Sequence, residues 1–147
     1  MSKLHQSMIR LGFLLTALAL AGCGQRELTK KETYSARGRV LLNGAPAQFV
    51  MVQLTPEIPG EGIEASGQTD ADGVFELRTY SNEEADGAVP GRYKVTLVDV
   101  RSIGGDESIP VPKGGKPTVL PQDLRGKEVA SVEITAGDND LGDIKVP

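Results

Sequence analysis

One histidine and one cysteine stand among the 147 residues, and both, His5 and Cys23, lie in the first 23; tryptophan is absent and aromatic residues make up 4%. If that first stretch is a targeting segment, the part that folds has no imidazole, no thiol and no indole. Ser-His-Asp and Cys-His nucleophilic catalysis are then excluded. So are zinc, copper, haem and iron–sulfur sites held by His or Cys. A lone cysteine forms no disulfide within the chain. No apolar run reaches the roughly 20 residues that span a bilayer. Carboxylates, Ser, Lys, Arg and three Tyr remain, a thin catalytic kit.

The N-terminus carries an export pattern. Lys3 and Arg10 are its only charges, and an apolar core, LGFLLTALAL, follows at residues 11–20. That length suits a signal-peptide core and is too short for a transmembrane helix. Leu20-Ala21-Gly22-Cys23 then resembles the lipobox of bacterial lipoproteins. The resemblance implies cleavage before Cys23 and an N-terminal diacylglycerol/palmitoyl lipid on Cys23, with the thiol diacylated. No other cofactor is expected. Gly24 after the Cys, in place of Asp, implies the outer membrane of a diderm cell envelope. Residues 1–22 are thus expected to be a signal peptide, 23–33 a lipidated Cys and polar tether, and 34–147 the domain.

Removing Lys3 and Arg10 with the signal leaves 14 basic residues against 20 acidic ones, a net charge of −6. An acidic domain argues against nucleic acid as a partner. The membrane would be reached through the lipid, and any further partner would be a protein or a glycan.

From Tyr34 onward the pattern is alternation and turns. Gly38 to Leu42 predicts a strand that ends at Asn43-Gly44, a two-residue hairpin signal with positive φ at both positions. Val50, Val52 and Leu54 alternate with polar neighbours up to Pro56. Ala65 to Thr69 precedes the turn Asp70-Ala71-Asp72-Gly73, where Gly73 is expected at positive φ. Phe75, Leu77 and Thr79 predict the next strand. Pro90-Gly91 opens the cleanest period-2 run, Tyr93, Val95 and Leu97, which assigns Tyr93 to the core. Ser131 to Thr135, the turn at 136–139, and Ile144 with Val146 complete seven strands. Strands with one apolar face, spaced by Gly and Pro turns, predict an all-β sandwich. Residues 102–127, with four Pro and five Gly, read as a long connection draped over the surface; a partner-binding loop is the alternative.

Gly38-x-Val40-x-Leu42-Asn43-Gly44-x-Pro46, Val50-x-Val52-x-Leu54-x-Pro56, Thr69-Asp70-Ala71-Asp72-Gly73-x-Phe75-x-Leu77 and Pro90-Gly91-x-Tyr93-x-Val95 follow in order. Together they resemble the carboxypeptidase regulatory-like domain. That family implies a seven-stranded transthyretin-like Greek-key sandwich, an accessory module without catalytic residues of its own.

Candidate sites are few. Asp70 and Asp72 imitate the start of a calcium loop, but Val74 and Ser81 stand where further oxygen ligands would be needed. Asp138, Asp140 and Asp143 form a second acidic group, able to share a cation with Asp70 or Asp72 only if the two turns meet. Both sets read first as ordinary turn carboxylates. Glu83, Glu84 and Asp86 crowd one loop without the cleft a carboxylate pair requires. Tyr80, more than Tyr34, is the candidate for an exposed contact. The expectation is a non-enzymatic structural or binding module at the membrane surface. The alternatives are a calcium- or carbohydrate-dependent adhesion module, or an accessory subunit docking an envelope enzyme through the 102–127 loop.

Overall fold

The computed structural model describes residues 30–80, 85–99 and 117–147. The chain divides into two units, Met1–Lys30 and Lys31–Pro147. In the second, the described residues form eight strands: β1 Ala36–Leu42, β2 Ala45–Pro46, β3 Val50–Pro56, β4 Ala65–Gln68, β5 Val74–Glu76, β6 Gly91–Asp99, β7 Glu128–Ile134 and β8 Asn139–Val146. The described residues contain no helix.

The strands form two four-stranded sheets. In the first, β1 is central. It pairs antiparallel with β2 and β5 on one side and parallel with β8 on the other. The second sheet runs β4-β3-β6-β7, all antiparallel. Alternation dictates which side chains turn inward. Val40 and Phe75 of the first sheet, and Val52, Leu54, Tyr93, Val95 and Leu97 of the second, are buried in one core. Burying such side chains contributes about 1.5–3 kcal/mol each, so the core can offset chain entropy without a disulfide. The fold is the expected all-β, two-sheet sandwich.

Turn chemistry falls where the sequence puts it. Asn43 (φ 52°) and Gly44 (φ 80°) link β1 to β2. Gly73 has φ 76°, and a Cβ there would lie 2.6 Å from the Val40 carbonyl oxygen. Gly91 opens β6. Gly38 lies under the Phe75 ring, 2.8 Å from where a Cβ would stand. The core aromatic therefore needs a glycine on β1.

Four expectations are corrected. The run from Phe75 to Thr79 is not one strand. The β5 ladder on β1 ends at Glu76, and Arg78 bridges Ser66 of the other sheet, because the chain crosses between layers at buried Leu77. The short β2 raises the strand count from seven to eight. Strand β7 begins at Glu128, and β8 runs from Asn139 rather than closing the chain at Ile144 and Val146 alone. Finally, residues 117–127 are built into the fold. Thr118 exchanges bonds with the Gln48 backbone, Leu120 is buried, and Arg125 bridges Leu97. The part of the long connection before residue 117 lies outside the described residues.

One polar group organises the crossing into β3. The Thr69 hydroxyl donates to the Ala47 carbonyl at 2.7 Å and accepts from the Val50 N–H at 2.8 Å, fully buried. It lies beside Phe49, which is held at φ 53°.

Candidate functional site

The two acidic turns do not meet. Asn139 donates to the Ser35 carbonyl, so Asp138 sits beside the start of β1. Gly73 accepts from Val40, near the other end of the same strand. Five residues of strand at about 3.3 Å each separate them by roughly 16 Å. Asp70 and Asp140 serve their own backbone instead. Asp70 Oδ1 accepts from the N–H groups of Asp72 and Val74, both at 2.9 Å. This is the Asx pattern that stabilises a tight turn. Asp140 Oδ1 does the same for Gly142 at 3.0 Å. Asn139 ties the β7–β8 turn together through Thr135, Gly137 and Ser35. Among the described residues no three acidic, His or Cys side chains converge as metal ligands would.

Asp143 takes a different role. Arg39 grips it with two bonds, Nε to Oδ1 at 2.9 Å and Nη2 to Oδ2 at 3.0 Å. The guanidinium holds the Asp143 carboxyl below its usual range, and the carboxylate in turn raises Arg39. A cavity of about 400 Å³ opens on this outer face, lined by Arg37, Arg39, Val74, Asp140, Gly142 and Asp143. It is a shallow groove with its best cation already paired.

Asp86 also serves the backbone. Its two oxygens accept from the Thr79 and Tyr80 N–H groups at 2.7 and 3.1 Å, which ties Asp86 to the residues just past the point where the chain changes layers. Glu83 and Glu84 lie outside the described residues, as does Cys23.

Tyr93 is buried, as its alternation requires. Its hydroxyl donates to the Val89 carbonyl at 2.7 Å, and burial raises the phenol above its ordinary value. Glu32 raises the Tyr34 phenol by a hydrogen bond. Tyr80 departs from expectation. It is half-buried, and its hydroxyl accepts from the Lys31 N–H at 2.8 Å and donates to the Lys31 carbonyl at 3.1 Å. The Lys31 ammonium donates to the Gly60 and Glu61 carbonyls at 3.2 and 2.9 Å. The folded unit therefore begins at Lys31, three residues inside the stretch read as free tether. Nothing in a polar, aperiodic segment announces that contact.

A buried carboxylate escaped the sequence reading. Asp99, 3% exposed at the end of β6, faces Arg125 at 3.6 Å. Asp99 follows Tyr93, Val95 and Leu97 at spacing two, so its inward position was legible. Its charged partner, beyond a long connection, was not.

No family model and no curated protein matches the chain. Solved structures similar to it include two of larger proteins. One, a DUF3823 family protein from Parabacteroides merdae, is 18% identical over 77% of this chain and 45% of its own, with a TM-score of 0.44. The other, a 9R-lipoxygenase from Cyanothece PCC8801, is 15% identical over 94% of this chain and 20% of its own, with a TM-score of 0.42. The chain thus spans less than half the length of either structure.

Proposed function

We propose that this chain is a lipid-anchored protein of the bacterial cell envelope, held through Cys23 and displaying one β-sandwich of the carboxypeptidase regulatory-like kind as a non-enzymatic structural or binding module. The observation that carries the reading is the run Leu20-Ala21-Gly22-Cys23 after a short apolar core, eight residues before the folded unit starts at Lys31. Asp70, Asp86, Asp140 and Asp143 accept from backbone N–H groups or from Arg39, roles that suit a structural module. A stable anchor needs two or more acyl chains, because one binds only marginally. The test is metabolic labelling with an alkyne fatty acid in the expressing bacterium. Wild-type protein should carry the label and enter the detergent phase, and Cys23→Ser should do neither. Unlabelled wild-type protein, soluble in the periplasm with a free Cys23, overturns the reading.

A further inference from the structure

The position of Lys31 gives the domain a direction. Residue 31 is fixed at one end of the sandwich, against Tyr80 and the 57–64 connection between β3 and β4. Strand β1 runs from that end to the hairpin at Asn43 and Gly44. The Asp70–Gly73 turn, which receives the Val40 N–H, and the Gln48–Thr118 contact lie at this second end.

Among the described residues, each end carries one strongly exposed aliphatic side chain: Ile58, 56% exposed, beside the Gly60 and Glu61 carbonyls that bind Lys31, and Val119, 58% exposed, next to Thr118. They are near twins in chemistry and exposure. What distinguishes them is distance along the chain from Cys23. Eight residue steps join Cys23 to Lys31, which covalent geometry limits to about 26–29 Å. The seven residues of β1 add about 23 Å beyond that. Val119 could meet a surface carrying Cys23 only if the connecting segment were almost fully extended back along the domain, whereas Ile58 needs no such extension. Glu57, the carboxylate next to Ile58, accepts from Ser131 at 2.6 Å and pairs with Arg92 at 3.6 Å, so that group does not stand free to oppose a headgroup layer; Glu61 and Glu64 are the exposed carboxylates of the same connection.

We propose that the end formed by Lys31, Tyr80 and the 57–64 connection is the membrane-facing end, with Ile58 in contact with the lipid headgroups, and that the end bearing Asn43, Asp72 and Val119 points away as the surface offered to any partner. This inference rests on the anchoring of Cys23, and it names the lipid surface as the occupant of the Ile58 end.

The absence of tryptophan makes the test clean. The variants Ile58→Trp and Val119→Trp, each with a single indole, are prepared as the processed chain beginning at Cys23. Each is coupled through the Cys23 thiol to a maleimide lipid in phosphatidylcholine vesicles containing a headgroup-nitroxide lipid. Circular dichroism of each variant confirms the strand content of the parent. Nitroxide should quench the indole fluorescence of Ile58→Trp several-fold more than that of Val119→Trp, and both should be unquenched when the thiol is capped. Equal quenching of the two variants, or stronger quenching of Val119→Trp, overturns the orientation. Chemical coupling separates this result from cellular acylation, which the fatty-acid labelling of Cys23 tests independently.

Discussion

The Tyr80 hydroxyl closes on both the N–H and the carbonyl of Lys31, at 2.8 and 3.1 Å, across 49 residues of sequence. One side chain thereby does for Lys31 what a neighbouring strand would do. Tyr80→Phe keeps the ring and removes both bonds. At about 0.5–1.5 kcal/mol per bond, amide exchange at residues 31–35 should speed up while the melting temperature falls by only a few degrees. Unchanged exchange there would mean that the Lys31 ammonium and the backbone bridge between Tyr34 and Ala88 hold the segment without Tyr80.

Thr69→Val tests the buried hydroxyl. The substitution is close to isosteric but leaves the Ala47 carbonyl and the Val50 N–H without their partner in the core. An orphaned buried polar group costs about 1–3 kcal/mol. Chemical denaturation should show a loss of at least about 2 kcal/mol with an unchanged m-value.

Gly73 and Phe75 probe how turn and core depend on each other. Gly73→Ala meets a positive φ, a cost of about 1–3 kcal/mol, and its Cβ would crowd the Val40 carbonyl. Phe75→Ala leaves a cavity over Gly38 and should cost about 3–5 kcal/mol. The total reserve of a small domain is typically about 5–15 kcal/mol, so Phe75→Ala should be substantially unfolded at about 37 °C by circular dichroism. The effects should not add, since Val74 alone separates the two residues.

Asp143 gives the fold an acid-sensitive element. Its carboxyl is held below the ordinary range by Arg39, so its contribution is complete above that range and is lost as pH falls through the lowered value. Arg39, raised by the same contact, stays charged throughout. Wild type should melt higher than Asp143→Asn at neutral pH, and the gap should close below about pH 4. Both partners are partly exposed, so about 1 M salt should narrow the gap as well. A gap that persists at about pH 2 would assign the difference to packing.

Calcium should leave the melting temperature unchanged. Asp70 already spends Oδ1 on two backbone N–H groups. A ligand at about 100 times its dissociation constant stabilises by about 2.7 kcal/mol, a shift of many degrees in a small domain. Such a rise, abolished by Asp72→Ala, would favour calcium-dependent adhesion.

Much of the fold was readable because period-2 alternation and Gly turns are local. Tyr93, Val95 and Leu97 lie inward, and Asn43, Gly44 and Gly73 have positive φ, as their neighbours in sequence require. What was not readable depends on register between distant segments. Arg39 is an ordinary outward residue of β1 until the parallel pairing sets Asp143 beside it. Lys31 is one polar residue among several until Tyr80 receives it. Leu120 looks like part of a draped connection, because nothing adjacent to it alternates. The separation of Asp138 from Asp72 likewise follows from which end of β1 each turn abuts.

The parallel pairing of β1 with β8 also has a consequence in time. Arg39 and Asp143 are 104 residues apart, and β1 is the centre of its sheet. While the chain is being synthesised, β1 waits with one side unpaired until residues 139–146 have been made. Contacts so distant in sequence are slow to form. The sheet that β1 centres therefore closes only once residues 139–146 are available to pair with it.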